Sequence, residues 1–528
     1  MLLRGIGTSG MATGYAYVVR NISADTTYSK GTPEEELQAV ARAMDKTRNH
    51  LQTLSATSDI FAAHAEMVDD PMLLQTIEGY IQDDALSAPD AIDATSEALQ
   101  VVFREMDDEY LRARADDVKD ICIQLRNNVL SLSQHQYEDL MPGSILVADE
   151  LLPSDTSYLD FSALSGIVTA KGNRTSHVCI IANNKGVPSV VGVNDCMHSI
   201  NTGDYILLDA GRGYVYVNPD EETRRQFESE LTAHNESSAV AEAHAYEKAV
   251  TMSGKAVPVM GNAGDIDDVK AALAAGADGI GLFRSEFLFM DKTSLPDEDT
   301  QYQAYLEAAK LCGDKPLTIR LLDIGGDKCP SYIHLEKEDN PFLGMRGIRF
   351  LLAHKDIFKT QLKAILRASV SGDIRIMLPF VSDAGEIDDT LALMAVCRQE
   401  LTETGTGFNP DVKIGIMIET PAAVLAAAIL AEKVAFFSIG TNDLTQYVMA
   451  ADRNDGLVRN YYNVSHPAVM RAIKLVTEEA HVHGITISVC GEAASDVMLT
   501  QQLLQNGADA LSVNATAVAR VKAHIREM

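Results

Sequence analysis

Ala170-Lys171-Gly172-Asn173-Arg174-Thr175-Ser176-His177 is a loop of small and polar residues set between two apolar runs. Gly166-Ile167-Val168 leads into it, and Val178-Cys179-Ile180-Ile181-Ala182 follows directly and can open a helix. Ser176 occupies the position of a helix N-cap, which makes His177 the first helical residue. A helix N-terminus offers unpaired N–H groups and a positive dipole end, which suit a phosphate carried on that histidine. Thr175 and Arg174 add a hydroxyl and a cation beside it. Taken alone, the triplet also describes a histidine that merely starts a helix, so the rest of the chain has to decide.

The 528 residues suffice for roughly two to four domains with ample cores. A hydrophobic content of 46% and a charged content of 23% are those of a soluble globular protein. No run of about 18 apolar residues is present to span a bilayer, and no basic, apolar leader is evident, so no membrane association is expected. Seven cysteines without a Cys-x-x-Cys pair argue against a disulfide framework and against a zinc site. A cytoplasmic location follows as the expectation. The net charge of −31 disfavours nucleic acid and anionic membrane as partners and favours a basic protein.

Along the chain, residues 1–20 read as a turn and a strand. Thr32-Pro33-Glu34-Glu35 then combines an N-cap, a first-turn proline and a capping-box glutamate. Leu37, Val40, Met44, Leu51 and Leu54 follow at helical spacing. Further stripes at Ile92, Leu99, Val102 and Met106, and at Val118, Cys122, Leu125, Val129 and Leu132, predict a helical insert of about four helices ending near His135. Residues 33–140 hold 23 Asp plus Glu against 8 Lys plus Arg, a net of −15, which is about half of the chain's net charge in a fifth of its length. Such a run describes a solvated helical face as readily as a docking surface. Strands are expected at 144–148, 166–169, 205–208 and 214–217, and residues 221–249 read as a helical linker.

From Met252 the pattern alternates strand and helix. Apolar runs at 257–262, 279–283, 317–322, 374–379, 413–418, 435–439, 486–489 and 510–513 are eight candidate strands, the pattern of a (β/α)8 barrel. In such a barrel the active site lies at the C-terminal strand ends. The residues found there are Arg284-Ser285-Glu286, Arg320 to Asp323, Glu419-Thr420-Pro421, Gly440-Thr441-Asn442-Asp443 and Cys490-Gly491-Glu492. Two forked guanidiniums suit a phosphate or carboxylate, and two carboxylates on neighbouring strands suit Mg²⁺ with positions left open for substrate oxygens.

These motifs resemble enzyme I of the bacterial phosphoenolpyruvate-dependent sugar phosphotransferase system over nearly the whole chain. The matching runs are Leu282 to Phe289, Asp323 to Lys328, Ile418 to Ala423 and Ser438 to Tyr447, together with the loop before His177. Asp107 to Leu111 and Ala115 to Val118 resemble the part of that family that docks HPr, a small histidine-containing carrier protein. The resemblance implies a multidomain α/β protein. Its phosphohistidine domain would be residues 1–31 and 136–220, its helical carrier-binding insert 32–135, its linker 221–250 and its barrel 251–528. It further implies that phosphoenolpyruvate phosphorylates His177, which passes the group to HPr. Arg284, Arg320 and Arg453 would bind phosphoenolpyruvate, Asn442 would contact its anionic groups, Glu419 and Asp443 would hold Mg²⁺, and Cys490 would protonate the enolate. A homodimer through the barrel is also implied. Asn173 stands where the family has its second glycine, and Val178 and Asn183 replace a small or hydroxylated residue and an arginine. A diverged regulatory paralogue and a pyruvate phosphate dikinase-like enzyme are the alternatives.

Overall fold

The computed structural model describes all residues of 1–528 except 9, 20–27, 55–58, 106–108, 132–136, 138–139, 173–178, 180, 183–184, 291, 293, 326–329, 331, 334, 336–337 and 454–456. Two units divide the chain, Met1–His234 and Asn235–Met528.

In the first unit, strands β1 (Leu2–Arg4), β2 (Ile6–Gly7), β3 (Met11–Val19), β4 (Ser144–Ala148), β5 (Leu164–Thr169), β6 (Ser189–Val191), β7 (Tyr205–Asp209) and β8 (Tyr214–Val217) form one sheet. Its order is β1-β8-β7-β3-β4-β5-β6-β2. The centre, β3 to β6, is parallel, and β3–β7, β7–β8, β1–β8 and β2–β6 pair antiparallel. All five residues of β4 are buried, as a continuous apolar strand covered on both faces requires. Leu164 and Ser165 extend β5 beyond the expected 166–169, and β6 is an additional short strand.

Between β3 and β4 lie helices α1 (Pro33–Leu54), α2 (Asp59–Val68), α3 (Pro71–Gln82), α4 (Ala88–Glu105) and α5 (Glu109–Val129). The described residues thus hold five helices here, where the stripes predicted about four. The extra break falls at Asp70-Pro71. Asp70 caps α3 through Met72 N–H, and Pro71 cannot continue a preceding helix. The capping box of α1 is present, with Glu35 N–H donating to Thr32 Oγ1 at 3.4 Å and Thr32 N–H to Glu35 Oε2 at 2.7 Å. Val40, Met44 and Leu51 of α1 meet Ile77, Ile81, Ile92, Leu99, Val118, Cys122 and Leu125 in one core. A long helix, Glu221–Ala243, follows β8.

The second unit is a closed parallel barrel of β9 (Val259–Ala263), β10 (Ile280–Arg284), β11 (Leu317–Arg320), β12 (Ile374–Leu378), β13 (Lys413–Ile418), β14 (Phe436–Gly440), β15 (Thr486–Cys490) and β16 (Ala510–Val513). Each strand pairs with its sequence neighbour, and β16 closes on β9. Parallel closure carries all eight C-terminal ends to one rim. No described helix is long and apolar enough to cross a membrane, and the six described cysteines are all free and buried.

Candidate active site

Arg284 and Arg320 end β10 and β11 in register with each other, so two guanidiniums leave the rim side by side. Their surroundings differ. Arg284 is exposed, and no ion pair is found for it among the described residues. Arg320 is 6% exposed and committed: its Nη2 pairs with Glu286 Oε1 at 2.7 Å, and its Nη1 with Asp323 Oδ2 at 3.2 Å. Glu286 Oε1 also accepts Asp323 N–H at 3.1 Å, so one carboxylate orients both the guanidinium and the backbone after β11.

A third guanidinium, Arg346, completes this lattice. Its Nη2 bridges Asp323 Oδ2 at 3.0 Å and Asp443 Oδ2 at 3.1 Å, and its Nε donates to Asp323 Oδ1 at 3.1 Å. Burial opposes its charge, but Asp323 and Asp443 outweigh burial and raise its pKa. The expectations from strand ends missed Arg346, because it lies in the long connection between β11 and β12. The available signal was Gly344 and Gly347 bracketing a lone arginine. Gly347, at φ +56°, opens the next helix, Ile348–Ala353.

Glu419 follows β13 and is fully buried. Its Oε1 accepts Phe380 N–H at 2.7 Å, while Oε2 has no hydrogen-bond partner among the described residues. Desolvation first, then Asp443 and Asp323, push its carboxyl up to about 8. Asp443 and Asn442 lie in the first turn of the helix Thr441–Met449, which starts where β14 ends. Asn442 Oδ1 accepts Glu492 N–H at 3.1 Å, which leaves the amide N–H₂ end for an anion. Gly491 makes this approach possible. At φ +87°, an added Cβ would stand 2.3 Å from Thr441 Oγ1 and 3.0 Å from Asn442 Oδ1.

Cys490 ends β15 opposite Gly440 and packs with Leu282, Met377, Met417 and Phe436 inside the barrel. Ser438 Oγ donates to its sulfur at 3.5 Å, and the thiol reaches Ile439 O at 3.3 Å. Burial pushes the thiol up to about 11, so it stays protonated at neutral pH. Arg453 follows the Asp443 helix and is held through its backbone N–H by Gln446 Oε1 at 3.2 Å. Of the expected site residues, Arg320, Glu419 and Asp443 thus join one electrostatic cluster with Arg346. Arg284, Asn442, Arg453 and Cys490 belong to the same barrel. His177 lies outside the described residues, as do Asn173, Val178 and Asn183.

Among the described residues, Glu286, Asp323, Glu419 and Asp443 surround two buried guanidiniums, Arg320 and Arg346. Two buried carboxylate oxygens without a hydrogen-bond partner among the described residues, Glu286 Oε2 and Glu419 Oε2, together with the raised carboxyl of Glu419, suit a hard divalent cation. Among the described residues no group of three or more His, Cys, Asp or Glu side chains forms a metal cage. A cation held by Glu419 and Asp443 would therefore complete its shell with water and substrate oxygens.

Family comparisons match the chain in three consecutive pieces. These are the PEP-utilising enzyme, N-terminal, over residues 4–114, the PEP-utilising enzyme, mobile domain, over 140–213, and the PEP-utilising enzyme, PEP-binding domain, over 238–528. The phosphoenolpyruvate-protein phosphotransferase of Haemophilus influenzae is 36% identical over 99% of this chain and 93% of its own length. That of Geobacillus stearothermophilus is 36% identical over 99% and 92%, and that of Bacillus subtilis is 36% identical over 100% and 94%. With this identity sustained from end to end across all three matched pieces, the chain belongs to the phosphoenolpyruvate-protein phosphotransferase family of PEP-utilising enzymes.

Proposed function

We propose that the chain transfers the phosphoryl group of phosphoenolpyruvate to His177 and from there to a histidine of an HPr-like carrier, the first step of phosphotransferase-system sugar uptake. The observation that carries the reading is the barrel-rim cluster. Its guanidiniums are divided between Arg320 and Arg346, whose Nη atoms pair with carboxylates, and Arg284, which is exposed at the rim with the Asp268 carboxylate nearby.

In the proposed reaction the bond between phosphorus and the enol oxygen breaks as a bond forms from phosphorus to an imidazole nitrogen of His177. Arg284 and Arg453 bind the substrate's anionic groups, Arg320 offers them its Nε–H, which has no partner among the described residues, and Asn442 adds an amide donor. Mg²⁺ held by Glu419 and Asp443 would neutralise charge on the substrate oxygens and fix their orientation. The electron pair of the broken bond stays on the enol oxygen. Cys490 gives its proton to the terminal carbon, producing pyruvate, and water returns a proton to the thiolate.

We assign the phosphohistidine domain to 1–31 and 136–220, the carrier-binding insert to 32–135, the linker to 221–250 and the barrel to 251–528. The insert's net of −15 supports docking of a basic carrier. A homodimer through the barrel would cover the exposed Leu425, Ile429 and Leu457. Free, buried cysteines are compatible with a cytoplasmic site of action.

Incubation with labelled phosphoenolpyruvate and Mg²⁺, followed by mapping of acid-labile phosphate, tests the reading. Label is expected on His177 and lost in His177→Ala, whose barrel should unfold as in the parent protein. Label that survives this substitution refutes the assignment.

A further inference from the structure

We propose that Phe380 is a positioning residue for the cation site: its ring balances Arg346 so that Asp443 can turn from that guanidinium to a divalent cation. The inference rests on the reading of Glu419 and Asp443 as the cation's carboxylates.

Phe380 follows the end of β12 at φ +57°. This left-handed conformation is costly for any residue with a bulky side chain. Among the described residues five non-glycine positions have positive φ, and Phe380 is the one aromatic. Such an outlier persists only where its surroundings impose it, and here they do. Phe380 N–H donates to Glu419 Oε1 at 2.7 Å, and Pro379 O accepts Ile348 N–H at 3.3 Å. The facing chain gives up a side chain to admit the ring, since a Cβ on Gly347 would stand 2.7 Å from that of Phe380.

The ring is 2% exposed. The guanidinium carbon of Arg346 lies over it at 5.0 Å from the centroid, and that of Arg349 at 4.9 Å. Tyr447 meets it edge-on with centroids 5.7 Å apart. One residue therefore touches both halves of the site, Glu419 through its backbone and Arg346 through its π face. As described, Arg346 is balanced by Asp323 and Asp443 together. A divalent cation that draws on Asp443 weakens one of these two pairs. The negative face of the Phe380 ring then takes a larger share of the balance, in a desolvated place where a cation–π contact is strongest. A leucine of similar volume would fill the space but supply no such face.

The test uses Mn²⁺ as the probe and the full-length protein without phosphoenolpyruvate, reading free Mn²⁺ by electron paramagnetic resonance. Phe380 is replaced by Leu and, site-specifically, by phenylalanines of increasing ring fluorination, which weaken the π face at nearly constant shape. Mn²⁺ affinity is expected to fall stepwise with fluorination, ending about threefold to thirtyfold below the parent protein. Phe380→Leu is expected to match the most fluorinated ring. Circular dichroism checks that each variant is folded, and the fluorinated series decides if Phe380→Leu is not. Parent-like affinity across the fluorinated series overturns the role of Phe380 alone. Parent-like affinity in Glu419→Gln and Asp443→Asn, or no Mn²⁺ binding by the parent protein, overturns the cation reading and this inference with it.

Discussion

Glu419→Gln should flatten the pH dependence of barrel stability in the absence of divalent cation. The Glu419 carboxyl is raised from 4.5 to about 8, by desolvation first and then by Asp443 and Asp323. In the unfolded chain it returns to its ordinary value. Between those two values the folded state holds a proton that the unfolded state has released. Stability from this group is therefore fully present below about pH 4.5 and is lost as pH rises toward about 8. The difference, 8 minus 4.5, is about 3.5 units. At about 1.4 kcal/mol per unit, the loss once pH has risen past the folded-state value is on the order of 5 kcal/mol. Gln keeps an acceptor for Phe380 N–H and carries no titrating proton.

The chain has no tryptophan, so calorimetry or far-ultraviolet circular dichroism is the appropriate assay. The stability difference, variant minus parent, should grow steadily from about pH 5 to about pH 8. Parallel pH profiles for the two proteins would refute the reasoning. Titration with Mg²⁺ offers an independent check, because a cation entering at Glu419 must displace its proton. Calorimetry in buffers of different protonation enthalpy should show proton release by the parent protein and less of it by Glu419→Gln.

Two further outcomes follow from the site and the insert. Cys490→Ser should leave phosphoryl transfer to His177 in place while removing facial selectivity from pyruvate formed in deuterated water with a chiral carbon probe, because the thiol, pushed up to about 11 by burial, is the proposed proton donor; unchanged selectivity would reduce Cys490 to a packing residue. Phosphoryl transfer from phosphorylated carrier should slow as salt rises, because the insert's net of −15 acts through a Debye length of about 10 Å at 0.1 M; salt-independent stopped-flow rates would point to an apolar interface.

The barrel was legible in the sequence because its signal is local. Each of the eight apolar runs is bounded by its own turn residues, and all eight became strands within a few residues of the expected bounds. Parallel closure then made the strand ends informative. Arg284, Arg320 and Cys490 end their strands, and Glu419 and Asp443 follow theirs closely, with no need to know what lies beside them. The capping box at Thr32 and the stripe through Val40, Met44 and Leu51 were local in the same sense. What escaped in the insert was a break, Asp70-Pro71, in a segment where no apolar stripe had been singled out.

Sequence by itself determined the elements, the barrel and the residue types gathered at its rim, because periodicity and turn chemistry act over a few residues. Tertiary structure decided how charge is shared among them. Arg320, Arg346 and Asp443 are far apart in sequence and come together only when the barrel closes. That closure is what buries Arg320 against two carboxylates while leaving Arg284, its neighbour in register, exposed. Tertiary structure also set the left-handed backbone of Phe380, since nothing in Leu378-Pro379-Phe380-Val381 asks for positive φ. The physical reason is the same in each case. Electrostatic balance and backbone strain depend on what is packed alongside a residue, and packing is not written in the residues next to it in the chain.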